Sequence, residues 1–315
     1  MFHKLGGKYL FLDEVHKYPG WVREMKNIYD DYPGLKVVFT GSSLLEILDS
    51  RADLSRRVIT YEMQGLSYRE FLRLHHGLDF KKYNLEEIIS HHEKISQEIT
   101  SRIKPLQYFD DYLHYGYYPF YLEHPSAYYE RIEEIINMIL EIELPLMRNV
   151  AISHVPKVKR LLQVIASSAP FIPDIRSIGD KVGISRVTLL TYLFHLSEAR
   201  LTFSLYKNAS GVTKLQKPDK LYLENTNLMF ALSSDRIEKG NICETYFANQ
   251  LAYQNRVEYS GNGDFLVNGK YTFEIGGAKK GKKQITGIAD SWIVSDDIEH
   301  GFDRKIPLWM FGFLN

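Results

Sequence analysis

One cysteine, Cys243, stands in 315 residues, which excludes an internal disulfide framework and suits a reducing, cytoplasmic setting. No apolar run approaches the roughly 20 residues that a membrane helix needs, and no signal-peptide pattern opens the chain. An excess of charge is lacking too: Lys plus Arg and Asp plus Glu both number 39, so any surface for nucleic acid has to be a local patch. Aromatics are plentiful, 22 Tyr and 17 Phe, compatible with stacking on bases but first of all with bulky cores. The length suits two or three domains.

The most informative stretch runs from Lys8 to His16, where Tyr9-Leu10-Phe11-Leu12 meets Asp13 and Glu14. So short an apolar run predicts a strand of a parallel sheet, buried on both faces. Ligands of open parallel sheets bind just past the carboxyl ends of the strands, where this carboxylate pair falls. Nucleotide hydrolysis uses such a pair, one acid for magnesium and one to polarise water; an acidic surface turn is the plainer alternative. After a helical segment from Trp21 to Tyr29 comes a β-branched run, Leu35 to Phe39, that closes on Thr40-Gly41-Ser42-Ser43. Its hydroxyls can sense a γ-phosphate or hold the water. Asp53-Leu54-Ser55-Arg56-Arg57 and Gly65-Leu66-Ser67-Tyr68-Arg69-Glu70-Phe71 follow.

Taken in order, FLDEVH, FTGSS, LSRR and GLSYREF resemble the AAA+ ATPases of bacteria and archaea that carry a winged helix and a restriction-endonuclease-like C-terminal domain. The resemblance implies that Leu10 to Glu14 is the Walker B strand, with Asp13 the magnesium-side acid and Glu14 the base. It implies that Thr40 to Ser43 ends the sensor strand, with Thr40 and Ser42 its site residues. Arg57, or else Arg56, would reach a neighbouring subunit's γ-phosphate; a surface arginine is the alternative. The departure is a missing G-x-x-x-x-G-K-[ST] loop, which should lie several tens of residues before Walker B, whereas only twelve residues precede Asp13. Gly6-Gly7-Lys8 does not replace it. The expectation is an N-terminally truncated product or a mis-started frame, with Met1 an internal methionine of a longer protein that uses ATP and magnesium.

Residues 72–148 read as helical, the position of an AAA+ lid. Leu85, Ile88, Ile89, His92, Ile95, Ile99 and Ile103 recur at helical spacing up to Pro105, and Tyr128 to Leu144 makes a second amphipathic helix. The pairs His75-His76 and His91-His92 are expected to be solvated rather than metal ligands. From residue 149 to 223 three short helices and a hairpin predict a winged helix-turn-helix, with Pro173 to Val182 stopped by Gly183 and Ser185 capping Arg186 to Leu196. Arg186, Thr188 and Thr191 are candidate contacts to duplex DNA, with Lys207, Lys214 and Lys217 set against phosphate. Because the third helix carries few basic residues, a protein-binding winged helix is an equal reading.

The last segment, 224–315, opens with a helix through Glu244 and continues into a hairpin around Asn268-Gly269. A two-residue turn would mix polar and apolar residues on both faces. A three-residue turn pairs 267 with 271, and so sets Asp264 opposite Glu274 with Phe265, Val267, Tyr271, Phe273 and Ile275 on the other face. Asp264, Glu274 and Glu244 would then form a three-carboxylate site for magnesium or manganese. This resembles the Glu, Asp, Glu-x-Lys pattern of restriction-endonuclease-like folds, except that Gly276 holds the lysine position; Lys279, Lys280, Lys282 and Lys283 lie a few residues on.

The expected fold is therefore α/β: a partial P-loop NTPase parallel sheet (1–71), a helical lid (72–148), a winged helix (149–223) and a restriction-endonuclease-like domain (224–315). The expected function is that of an AAA+ ATPase fragment acting on double-stranded DNA, itself inactive in hydrolysis. The alternative is a non-catalytic nucleic-acid-binding or adaptor protein with a degenerate nuclease domain, working with a protein partner or as a homo-oligomer.

Overall fold

Two short parallel strands open the fold, β1 (Tyr9–Leu12) and β2 (Lys36–Phe39), with Leu10 beside Val37 and Leu12 beside Phe39. This computed structural model describes residues 6–15, 18–41, 54, 57–207, 216–233, 237–281 and 285–315. Helix α1 (Trp21–Asp31) connects the strands; it starts after Gly20, whose φ of 82° lies in the left-handed region that glycine enters without strain. Trp21 and Met25 pack on Leu12, Val37 and Phe39, with the Trp21 ring 5.5 Å from that of Phe39. The sheet is not buried on both faces, as its apolar run predicts. Tyr9, Phe11 and Val38 are 58%, 72% and 52% exposed, because the described residues place a single helix on a two-stranded sheet and it covers one face.

The next three helices have strong local signals. Helix α2 (Tyr68–His76) carries a capping box between Ser67 and Glu70, α3 (Leu85–Thr100) another between Asn84 and Glu87, and α4 (Pro105–Tyr115) begins on proline. Their apolar faces do not form a core of their own. Tyr68, Phe71, Ile88, Ile99 and Tyr112 share one core with Phe247, Phe273, Trp309 and Phe313 of the last segment. His92 is 5% exposed and its Nδ1 lies 3.1 Å from the Ile89 carbonyl, so the expectation of solvated histidines fails there. It sits on the apolar stripe of α3, and its ring fills the space beside Gly301. His75 is half-buried against Phe71 and Tyr121, and burial lowers its pKa.

A second core gathers α5 (Tyr128–Met138), a π-helical turn (Ile139–Glu143), α6 (Leu144–Arg148), α7 (Val155–Ala166), α8 (Ile175–Val182) and α9 (Arg186–Glu198). The Ser185 cap and the Gly183 stop foreseen in the sequence are present, and Asp174, expected inside a helix from Pro173, is itself the cap of that helix. Asp174 accepts from the N–H groups of Arg176 and Ser177 at 3.0 and 3.1 Å, Gly183 ends α8 at φ 73°, and Ser185 accepts from Thr188 at 3.2 Å. An antiparallel pair, β3 (Thr202–Leu205) and β4 (Lys220–Leu223), follows, and Phe171 bridges to Leu221 beside it. Helix α10 (Thr226–Leu232) closes this part, with Asn227 donating to the Leu113 carbonyl at 2.8 Å and accepting from the Tyr117 N–H at 3.0 Å.

Helix α11 (Lys239–Ala252) backs a five-stranded mixed sheet. Strands β5 (Val257–Tyr259), β6 (Phe265–Val267) and β7 (Tyr271–Gly276) are antiparallel; β8 (Ser291–Ser295) and β9 (Lys305–Pro307) continue in parallel from β7. The β6–β7 hairpin pairs Val267 with Tyr271 and Phe265 with Phe273, the register of the three-residue turn. Asn268 and Gly269 take φ values of 55° and 67° within it. The protein is thus mixed α/β with three separate sheets among the described residues and no barrel. Among those residues, no helix is long and apolar enough to cross a membrane.

Candidate functional site

The ends of β1 and β2 bring together three of the residues singled out in the sequence. Strand pairing continues one step beyond the sheet, through Thr40 N–H to the Leu12 carbonyl at 2.9 Å and Val15 N–H to the Thr40 carbonyl at 3.0 Å. This sets the Thr40 hydroxyl to donate to Asp13 Oδ1, while the Glu14 N–H donates to Thr40 Oγ1 at 3.3 Å. Glu14 itself adopts a left-handed backbone, φ 54°, a conformation that costs a non-glycine residue energy and is frequent at functional sites. Asp13 remains exposed. A single exposed carboxylate beside a hydroxyl is a hard oxygen donor set, of the kind that magnesium shares with phosphates and water.

Ser42 and Arg56 lie outside the described residues. Arg57 does not join the Asp13 site: its Nε and Nη2 donate to both oxygens of Asp30 at 3.1 and 3.0 Å, and its guanidinium lies 5.8 Å from the Tyr29 ring centre. Bonding to Asp30 raises its pKa further. Since α1 runs back from the carboxyl end of β1 towards the start of β2, Asp30 near its last turn marks the opposite end of the sheet from Asp13.

In the C-terminal segment the hairpin register sets Asp264 and Glu274 on one side of β6–β7, and Glu244 approaches from α11. The acids are not left facing one another alone. Lys220 Nζ, from β4, sits 2.5 Å from Glu244 Oε2 and 3.8 Å from Asp264 Oδ1, and Tyr222 donates to Glu244 Oε2 at 3.1 Å. Lys280 Nζ sits 2.5 Å from Glu274 Oε1, and the Ile275 N–H donates to Asp264 Oδ2 at 2.8 Å. Burial pushes the Glu244 carboxyl above its ordinary range and the nearby Asp264 adds to this, with Lys220 opposing. Glu274, 2% exposed, is raised by burial first; its bond to Lys280 pulls the other way, and Asp264 adds to the rise.

These pairings correct the expected metal centre. Among the described residues, no group of three His, Cys, Asp or Glu side chains could hold a metal ion. Ammonium groups already sit on Glu244 and Glu274, so Asp264, Glu274 and Glu244 as arranged do not fit magnesium or manganese. Sequence reading missed Lys220 altogether, because nothing in the start of β4 marks it as a partner of α11. Lys280 was in view only as one of a basic run.

On α9 the buried residues Leu189, Leu190, Tyr192, Leu193 and Leu196 take up most of the circumference, leaving chiefly the first turn in solvent. Arg186 is exposed there. Thr188 Oγ1 lies 2.9 Å from Ser185 Oγ, and Thr191 Oγ1 donates to the Val187 carbonyl at 2.9 Å, so both hydroxyls have local partners. Lys207 is exposed with its ammonium 5.8 Å from the Tyr259 ring centre, and Lys217 is exposed; Lys214 lies outside the described residues.

Comparison with known proteins bears on the N-terminal segment as a whole. A family model described as an AAA domain matches residues 1–72, and one described as a domain of unknown function matches residues 106–238. An uncharacterized protein of Methanocaldococcus jannaschii is 24% identical over 320 residues, covering 94% of this chain and 67% of its own length. No solved structure matches. The N-terminal segment, which holds Asp13, Glu14 and Thr40, is AAA-like.

Proposed function

We propose that this chain is part of an AAA-type, nucleotide-dependent protein that acts on DNA. The observation that carries the reading is the bond from Thr40 to Asp13 at the carboxyl ends of two adjacent parallel strands, inside the segment that matches an AAA domain. Asp13 would hold magnesium and Glu14 would polarise the attacking water, with Thr40 holding the Asp13 carboxylate in place. Bound magnesium would neutralise charge on the phosphates. The 315 residues contain no G-x-x-x-x-G-K-[ST] sequence, and that loop supplies most contacts to the phosphates; these residues alone are therefore inactive in hydrolysis. Arg57, at the far end of the sheet from its own Asp13, would serve a neighbouring copy in a homo-oligomer.

Around this core we assign residues 72–148 to a helical lid, 149–223 to a winged helix and 224–315 to a restriction-endonuclease-like module that binds nucleic acid without efficient cleavage. Three helices, the second and third of them capped, followed by an antiparallel strand pair support the second assignment. The shared side of Asp264 and Glu274 supports the third. One observation favours an adaptor with a protein partner instead: Arg186 is the single Lys or Arg on α9.

Calorimetric titration with Mg-ATP tests the nucleotide reading. The expected result is affinity no tighter than about 1 mM and no turnover. Micromolar affinity, with turnover abolished in Glu14→Gln, would show that the chain hydrolyses ATP on its own. Micromolar affinity indifferent to Asp13→Asn would remove the site assignment itself.

A further inference from the structure

Strand β7 ends at Gly276, two residues beyond Glu274 and therefore on the same side of the sheet. A Cβ added to Gly276 would fall 2.6 to 2.8 Å from Cβ, Cγ and Cδ of Lys280. The Lys280 stem thus occupies the space that a side chain at 276 would take, and its ammonium reaches Glu274 Oε1 at 2.5 Å. The turn that carries it is anchored: Lys280 N–H donates to the Gly277 carbonyl at 2.9 Å, Asp296 N–H to the Gly276 carbonyl at 3.0 Å, and Lys305 Nζ to the Ala278 carbonyl at 2.8 Å.

We propose that Lys280, carried across the bare Cα of Gly276, is the cation with which the C-terminal segment grips the phosphodiester backbone of nucleic acid. This rests on the nucleic-acid reading of that segment and says which residue performs it. An ammonium has three N–H donors, and among the described residues its ion pair is with Glu274, which leaves donors for a phosphate. The Lys280 side chain is 33% exposed, whereas Glu274 beneath it is 2% exposed, so the ligand meets the lysine and the carboxylate fixes it from behind. Among the described residues Glu274 Oε2 is buried without a hydrogen-bond partner, and Lys280 is the cation bonded to this acid, with Lys220 adding a weaker pull. Glu274 is accordingly a positioning residue. Gly276 is then a requirement of the arrangement rather than the loss of a lysine.

Fluorescence anisotropy of a labelled 20-base-pair DNA duplex, titrated at several salt concentrations, reads the proposal. Lys280→Met is expected to weaken binding about tenfold, uniformly across sequences, and to reduce the salt slope by about one. Gly276→Ala should weaken binding similarly by pushing the Lys280 stem aside, and the exchange Gly276→Lys with Lys280→Ala should recover most of the affinity. Lys280→Met alone leaves a buried carboxylate unpaired; if it fails to fold, the double variant Glu274→Met, Lys280→Met removes both charges together and keeps the loss of binding readable. Wild-type affinity and slope in Lys280→Met, or wild-type affinity in Gly276→Ala, would overturn the proposal. Absence of duplex binding by the wild-type chain would instead remove the nucleic-acid reading on which it rests.

Discussion

Asp264 accepts a hydrogen bond from the backbone N–H of Ile275 at 2.8 Å. This bond ties the carboxylate across the hairpin, towards Glu274 on the same side and within electrostatic reach of Glu244. Both of those acids feel it: the charge of Asp264 adds to the effect of burial in raising each of their pKa values.

Replacing Asp264 by Asn keeps an acceptor for the Ile275 N–H and removes the charge. The pKa values of Glu244 and Glu274 should then both fall towards the ordinary carboxylate range, read by titrating their side-chain carboxyl 13C shifts. Unchanged values for both would mean that the three acids do not share a side of the sheet.

Glu224 gives a pH dependence with a definite sign. It is 8% exposed, and burial pushes its carboxyl up to about 7 against the pull of Arg200, whose Nη1 lies 3.7 Å away. The folded-state value lies above the unfolded one of about 4.3. The folded chain therefore holds a proton that the unfolded chain has released. The associated stability is present below about pH 4.3 and is lost as pH rises through about 7. Glu244 and Glu274 act in the same direction, so the diagnostic quantity is the difference between wild type and Glu224→Gln. Urea unfolding should show the variant gaining on wild type between pH 5 and pH 8, by on the order of 3 kcal/mol at most. A difference independent of pH would contradict it.

Gly312 tests the shared core. A Cβ there would fall 2.4 Å from Tyr246 Oη and from Tyr68 Cβ, wedging α2 away from α11. Overpacking of this kind costs about 1–3 kcal/mol, and Gly312→Ala should lower the melting temperature of the α2–α4 helices and of the C-terminal sheet together. Separate transitions, with the helices unaffected, would mean that they do not fold as one unit.

How much of this was legible in the sequence follows from the range of each signal. The β6–β7 register could be read because one pairing alone separates Phe265, Val267 and Phe273 from Asp264 and Glu274. The helices that Gly183 stops and Ser185 caps could be read because such end signals are local. Long-range partners could not. Nothing near Lys220 points to Glu244, and Lys280 looks like any member of a basic run until its stem is seen to cross Gly276. Likewise, the apolar run at Tyr9 and Phe11 fixes a strand without saying what covers it. The stripe on α3 announces a buried face, but not that its partner lies some two hundred residues away at Gly301 and Trp309.

The central claim, that the chain acts on DNA, is tested most directly by the salt dependence of duplex binding, compared between wild type and a variant with Arg186, Lys207 and Lys217 replaced by alanine. Each phosphate contact contributes roughly 0.9 to the slope of log affinity against log salt. The account predicts measurable wild-type binding that weakens steeply with salt, and a variant that binds more weakly with a slope flatter by up to about three such contacts. Wild-type binding absent at low salt, or a variant with the wild-type slope and affinity, would contradict it.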